Sequence, residues 1–168
     1  LFQTGDHSGM INSVIYDVGW NGWMCGGTNN FCVNSEVYHC SDVGIDRYGV
    51  DTVITGNNVH DMEVYIGGGA GVGIGSLWGI GIEDGGGSGG DSYLLIANNI
   101  ITNSPTGIVV SGSGQSQINY VLIVGNTINS CSGDAVYLDA SSYDIVEFNT
   151  ISYVYIGVHI EYPSSPYT

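Results

Sequence analysis

The chain contains no lysine and a single arginine, Arg47. Against that one base stand 16 aspartates and glutamates, for a formal net charge of -15. A surface of that sign repels phosphate backbones and anionic lipid, so neither nucleic acid nor an anionic membrane is an expected partner. The lack of lysine also removes any GxxxxGK[ST] phosphate loop, and the glycines at 71, 73 and 75 do not complete GxGxxG because position 76 is serine. No apolar run approaches the ~18 residues of a membrane span, so membrane insertion is not expected. Leu1 brings no initiator methionine and no signal-peptide pattern, as in a mature product or an excised piece. Helix signals are weak throughout. No CxxC pair occurs, and no histidine spacing suggests zinc.

What is abundant is glycine, at 28 residues, together with tyrosine, serine, threonine and asparagine. Short runs such as Tyr93–Ile96 and Val121–Val124 read as strands. Hydrophobic residues make up 43% of the 168, enough for one domain, 1–168, with a continuous core. The composition is that of an extracellular or cell-surface all-β protein.

An internal repeat carries the architecture. A small polar residue, any residue, then Ile or Val recurs at Ser13–Ile15, Ser35–Val37, Asn57–Val59, Asn98–Ile100, Asn126–Ile128 and Asn149–Ile151. The aliphatic positions are spaced by 22, 22, 41, 28 and 23 residues. A small residue and an apolar one follow 8 residues later in four coils and 7 in the last: Gly22-Trp23, Gly44-Ile45, Gly107-Ile108, Ala135-Val136 and Gly157-Val158. In the third coil this pair is expected at Gly79-Ile80, displaced by an insertion. A period near 22 is one turn of a β-solenoid, with coils stacked ~4.8 Å apart. The reading is a right-handed parallel β-helix of about six coils, with asparagines laddered inside one bend to satisfy buried polar groups.

The stretches Ile96-Ala97-Asn98-Asn99-Ile100 and Val124-Gly125-Asn126-Thr127-Ile128 resemble the pectate-lyase-like right-handed parallel β-helix repeat family, whose coils often read NNxI…GIxL. The resemblance covers nearly the whole chain and implies the fold. It leaves function open among polysaccharide lyases, hydrolases, uronate epimerases, phage spikes and surface proteins.

The 41-residue spacing holds a glycine-rich insertion at about 64–92, expected as a loop on one face. Within it, Gly86 to Leu94 fits GGxGxDxUx and resembles one calcium-binding repeat of the RTX family, with Asp91 as the acidic member. A lone copy is not a complete site. Cys40 and Cys131 share a column with Val18, Met62 and Val154 and read as small core residues, three coils apart and beyond bridging reach. Cys25 and Cys32 fall between the first two coils, where an oxidising compartment could bridge them.

Columns can also assemble chemistry. Two places after the aliphatic lie Asp17, His39, Asp61, Thr102, Ser130 and Tyr153. One place after it lie Tyr16, Tyr38, His60, Ile101, Asn129 and Ser152. Asp17, His39 and Asp61, flanked by Tyr38 and His60, are therefore the candidate catalytic group for acid–base work on a uronic acid. The alternatives are a metal site and a polar bend facing solvent. A second acidic column collects Glu83, Asp139 and Glu161, with Asp46 nearby. Asp139 and Glu161, like Asp91, are candidate calcium ligands. No cofactor is required, and calcium is the one this surface could take.

The lyase resemblance lacks its usual arginine or lysine base, since only Arg47 exists, and the NTD, DD, GHG and RIK motifs of polygalacturonase-like hydrolases are absent. The preferred reading is therefore an extracellular module with a structural, adhesive or filament-forming role that contacts polysaccharide. The alternative is a polysaccharide lyase, uronate epimerase or glycoside hydrolase, or a fragment of one. Unpaired edges at the ends of a solenoid also suggest like subunits stacked head to tail.

Overall fold

The computed structural model describes residues 1–62, 80–84, 93–111, 118–139 and 141–161. Among them there is no helix, and every pairing between strands is parallel. Most strands stack in three rows, and Ile118–Asn119 pairs with Ser141–Ser142 outside them. Face one comprises Gly9–Ile11, Phe31–Val33, Thr52–Thr55, Leu94–Ala97, Val121–Val124 and Ile145–Glu147. Face two comprises Val14–Val18, Glu36–Cys40, Asn58–His60 and Ile100–Thr102, then the first halves of Thr127–Asp139 and Thr150–Glu161. Face three comprises Phe2–Thr4, Trp23–Gly26, Val43–Arg47, Ile80–Asp84 and Thr106–Ser111, then the second halves of those two long strands. This is the right-handed parallel β-helix expected from the repeat.

Side chains alternate in and out along each strand. The inward columns form one core: Cys32, Ile54, Ile96 and Ile123 from face one, Val37, Val59, Ile101 and Ile128 from face two, and Trp23, Ile45, Ile108 and Val136 from face three. Each large aliphatic buried this way is worth about 1.5–3 kcal/mol of transfer free energy. Packing requires glycine before the third-face column at Gly22 and Gly107, whereas a Cβ at Gly157 would meet nothing within 4 Å. A Cβ at Gly22 would lie 2.6 Å from both Val37 Cγ1 and the Gly44 carbonyl oxygen.

The asparagine ladder is present, with one correction. Its members are Ser13, Ser35, Asn57, Asn99, Asn126 and Asn149, and not Asn98. Asn126 Nδ2 donates to Asn149 Oδ1 at 3.0 Å and to the Ile96 carbonyl at 2.9 Å. Its Oδ1 accepts the Asn99 backbone N–H at 2.9 Å and the Asn99 amide at 3.0 Å. Asn57 and Asn99 repeat the pattern one step earlier.

The fourth coil is thus slipped by one residue from the sequence-based register. Val59 pairs with Ile101, and Ile101 with Ile128. Ile101 is fully buried, whereas Ile100 is 49% exposed on the opposite side of the strand. Asn98-Asn99 and Ile100-Ile101 are doubled letters, so either register fits the motif, and only burial separates them. The third coil needs a second correction. Ile82 pairs with Ile45 and Ile108, so the displaced pair is Gly81-Ile82 and not Gly79-Ile80. The interval 64–92 therefore contains a strand of the solenoid, Ile80–Asp84, between Val43–Arg47 and Thr106–Ser111.

All four cysteines are buried thiols, and no disulfide joins Cys25 to Cys32. Cys40 pairs with Val18 and Cys131 with Val154, in the apolar column expected for them. Burial, more than the neighbouring Cys25, pushes the Cys32 thiol up to about 12, and burial pushes Cys131 to about 11.

Candidate functional site

The corner after face two brings Asp17, His39 and Asp61 into one row on consecutive coils. His39 Nδ1 donates to Asp17 Oδ1 at 3.1 Å, and the His39 backbone N–H donates to the Asp61 carbonyl at 3.2 Å. The slip in coil four puts Asn103, not Thr102, next in this row, with Asn103 Nδ2 donating to Asp61 Oδ1 at 2.8 Å. Ser130 and Tyr153 continue it. Every member has left-handed backbone: φ is 54° at Asp17, 51° at His39 and Asp61, 53° at Asn103, 59° at Ser130 and 52° at Tyr153. Asn, Asp and His are the side chains that tolerate that region best. The backbone of the bend therefore favours Asp, His and Asn at these positions, and Ser130 and Tyr153 adopt it as well. Sequence pattern alone did not reveal this constraint.

Beside that row, Tyr16 stacks on Tyr38 at 5.2 Å and Tyr38 on His60 at 5.0 Å, each pair inclined by 8°. Thr102, not Ile101, follows His60 in register. His60 is the hub of this face. Its Nδ1 lies 2.8 Å from Asp61 Oδ2 and its Nε2 3.1 Å from Glu36 Oε1. Burial pulls the imidazole pKa down, but the hydrogen bonds and charges of Asp61 and Glu36 outweigh it, and the net shift is upward. The hydrogen bonds from His60 and Asn103 hold Asp61 below the ordinary carboxylate value. Burial, then the neighbouring Tyr16, Glu36 and Asp17, raises the Tyr38 phenol. Glu36 is a member of this group that the column analysis omitted. It precedes inward Val37 as His60 follows inward Val59, so period-two alternation places both on the outer side.

A second cluster lies on the last two coils of face three. Tyr137 and His159 are register partners with rings in edge contact at 5.0 Å. His159 Nδ1 lies 2.8 Å from Asp134 Oδ2, and Tyr137 donates its hydroxyl to Glu161 Oε2 at 2.5 Å. That hydrogen bond, with burial, raises the Tyr137 pKa strongly. Asp139 pairs in register with Glu161. Sequence reasoning found Asp139 and Glu161 but missed Tyr137 and His159, which stand two residues earlier on the same side. Asp134 had no such signal, because the register shifts between Cys131 and Asp134.

Glu83 does not join this group. It aligns with Asp46 on one side and Val109 on the other, in the column of Tyr137. The acidic column of Glu83, Asp139 and Glu161 therefore divides between two columns. Asp91 lies outside the described residues. Among the described residues no three His, Cys, Asp or Glu side chains converge to hold a metal, and Asp139 and Glu161 form a pair only.

Arg47 is 1% exposed. It occupies the inward column of Cys25, Val110 and Leu138 and donates from Nε to Thr52 Oγ1 at 3.3 Å. The single arginine is a core residue.

Exposed tyrosines form a third feature, on the corner before face one. Tyr93, Tyr120 and Tyr143 stack at 5.1 and 5.2 Å. Both ring faces of Tyr120 are taken by its neighbours.

A family model for the right-handed β-helix region matches residues 74–167, more than half of the chain. The match is to the repeat architecture and does not single out pectate lyases. Neither the curated proteins nor the solved structures contain a significant match.

Proposed function

The chain belongs to the right-handed β-helix family, and from that premise we propose that it is a non-catalytic extracellular module that presents a rigid solenoid surface to carbohydrate. The observation that carries this reading is the burial of Arg47. A uronate polymer needs a fixed cation for its carboxylate, and β-elimination needs a strong base. With no lysine and the one arginine in the core, the described outer surface offers no lysine or arginine for either task and only histidines and tyrosines in their place, and its net charge repels polyanions. The left-handed backbone under Asp17, His39 and Asp61 supports the same reading, because conformation favours the residue types most suggestive of catalysis. Placement outside the cell is part of the proposal, and fits an acidic all-β surface rich in tyrosine and asparagine.

A second reading is favoured by the Asp134–His159 and Tyr137–Glu161 pairs, which put a histidine, a phenol and carboxylates within one small patch. That set could move protons during glycoside cleavage or epimerisation. The two readings separate on incubation of the protein with alginate, polygalacturonate, xylan and β-glucan, with and without calcium. Reducing ends, unsaturated uronate absorbance and uronate epimer ratio are measured. The expected outcome is no turnover on any polymer. Turnover that His159→Ala abolishes and His39→Asn preserves would establish the second reading and discard the first.

A further inference from the structure

Face one differs from the rest of the acidic surface. One of its outward columns reads Phe31, Val53, Leu95, Leu122 and Ile145 on successive coils. Val53 and Ile145 are exposed, and Phe31, Leu95 and Leu122 are half-buried. The other outward column carries a single charge, Glu147, on its last strand. Beside this apolar floor runs the corner row in which Tyr93, Tyr120 and Tyr143 stack and Asp51 and Asn29 precede them. Asp51 Oδ1 accepts the Tyr93 backbone N–H at 3.4 Å. Floor and row enclose an open cleft of ≈ 440 Å³, walled by Asn29, Asp51, Tyr93 and Tyr120 and floored by Val53, Leu95 and Leu122.

We propose that this cleft binds a neutral glycan chain. The inference rests on the carbohydrate-contact reading above and adds its site and chemical class. An apolar floor edged by phenol hydroxyls, an amide and a carboxylate suits a ligand with C–H faces and hydroxyl edges. One carboxylate and no cation line it, so a uronate chain is repelled and an uncharged one is not. A second copy of this chain is the weaker occupant on two grounds. Six strands at ~4.8 Å and about four residues at ~3.3 Å give a strip of roughly 380 Å². A stable interface needs about 800 Å² from each partner. Each copy would also bring a net charge of -15.

The test uses the full chain, titrated calorimetrically with cellohexaose, maltohexaose and oligogalacturonate, the last with and without calcium. Two variants accompany it: Leu122→Asp charges the floor, and Tyr120→Asn removes a ring while suiting the left-handed φ of 60° at that position. Circular dichroism and thermal melting confirm that both remain folded. At least one neutral hexasaccharide binds, each variant weakens it by about tenfold or more, and oligogalacturonate does not bind. Neutral binding unchanged in both folded variants would overturn the site and leave the carbohydrate reading standing. Preference for oligogalacturonate would overturn the ligand class. No binding by any of the three would overturn the proposal, and the carbohydrate reading with it if longer polymers also fail. A dimer in sedimentation that Leu122→Asp disperses would assign the face to a second copy instead.

Discussion

Asn126 holds three coils through one side chain: it donates to Asn149 and Ile96 and accepts twice from Asn99. Replacement by alanine leaves buried donors and acceptors unpaired on both sides, each costing about 1–3 kcal/mol. We expect Asn126→Ala to lower the free energy of unfolding by at least ~2 kcal/mol in urea denaturation, with the β-rich circular dichroism retained. His39 makes the opposite case. At φ 51° asparagine is tolerated and valine is not, so His39→Asn should melt within a degree or two of wild type while His39→Val loses about 1–2 kcal/mol. Equal destabilisation by both would refute conformation as the reason for this column. His60 adds a pH signature. Its pKa lies above the ordinary 6.5, so its stabilisation is complete below that pH and is lost as pH rises through the raised value. Asp61 lies below the ordinary 3.8, so its contribution is present above that pH and is lost as pH falls through the lowered value. The stability difference between wild type and His60→Gln should therefore be greatest between these two ordinary values, and should shrink as pH rises through the raised His60 value and as it falls through the lowered Asp61 value. A difference independent of pH would mean that the His60–Asp61–Glu36 group contributes packing alone.

At the scale of the strand, the fourth coil is decisive. Ile100 and Ile101 are adjacent and chemically identical, yet Ile101 lies in the core column between Val59 and Ile128 while Ile100 faces out between Asn58 and Thr127. Ile101→Ala should cost about 2–5 kcal/mol, and Ile100→Ala less than about 0.5–1 kcal/mol. Comparable losses would contradict the register. The corner between faces one and two shows how close stacking selects residue type. Gly56 has φ 68°, and a Cβ there would collide with the Asn34 side chain of the preceding coil. Asparagine in one coil and glycine in the next share a space that two larger side chains could not.

Across the whole molecule, stability is a sum over coils, each stacked on its neighbours. Among the described residues, Thr150–Glu161 pairs only with Thr127–Asp139, and Phe2–Thr4 only with Trp23–Gly26. We propose head-to-tail association of like subunits through these outer edges, because a strand edge that no further chain covers templates another strand. Sedimentation across a concentration series should show mass rising with concentration, and a constant monomer mass would rule it out. The acidic surface gives a separate expectation for calcium. With no third ligand beside Asp139 and Glu161 among the described residues, EDTA should leave the melting temperature unchanged, and a fall on chelation would show a bound cation.

The repeat of inward aliphatics and laddered asparagines was legible because stacking makes each coil solve the same packing problem with the same residue types. Period, fold, core columns and the adjacency of Asp17, His39 and Asp61 followed from that alone. The slip at Ile100 and Ile101 was not legible, because a doubled letter satisfies either register and only burial separates them. Nor was the displaced third coil, where no local pattern distinguishes Ile80 from Ile82. Bringing Asp134 to His159 required a shift in register that leaves no periodic trace. The burial of Arg47 belongs to the tertiary structure too: composition counts charges, and only the packed solenoid decides which of them meets water.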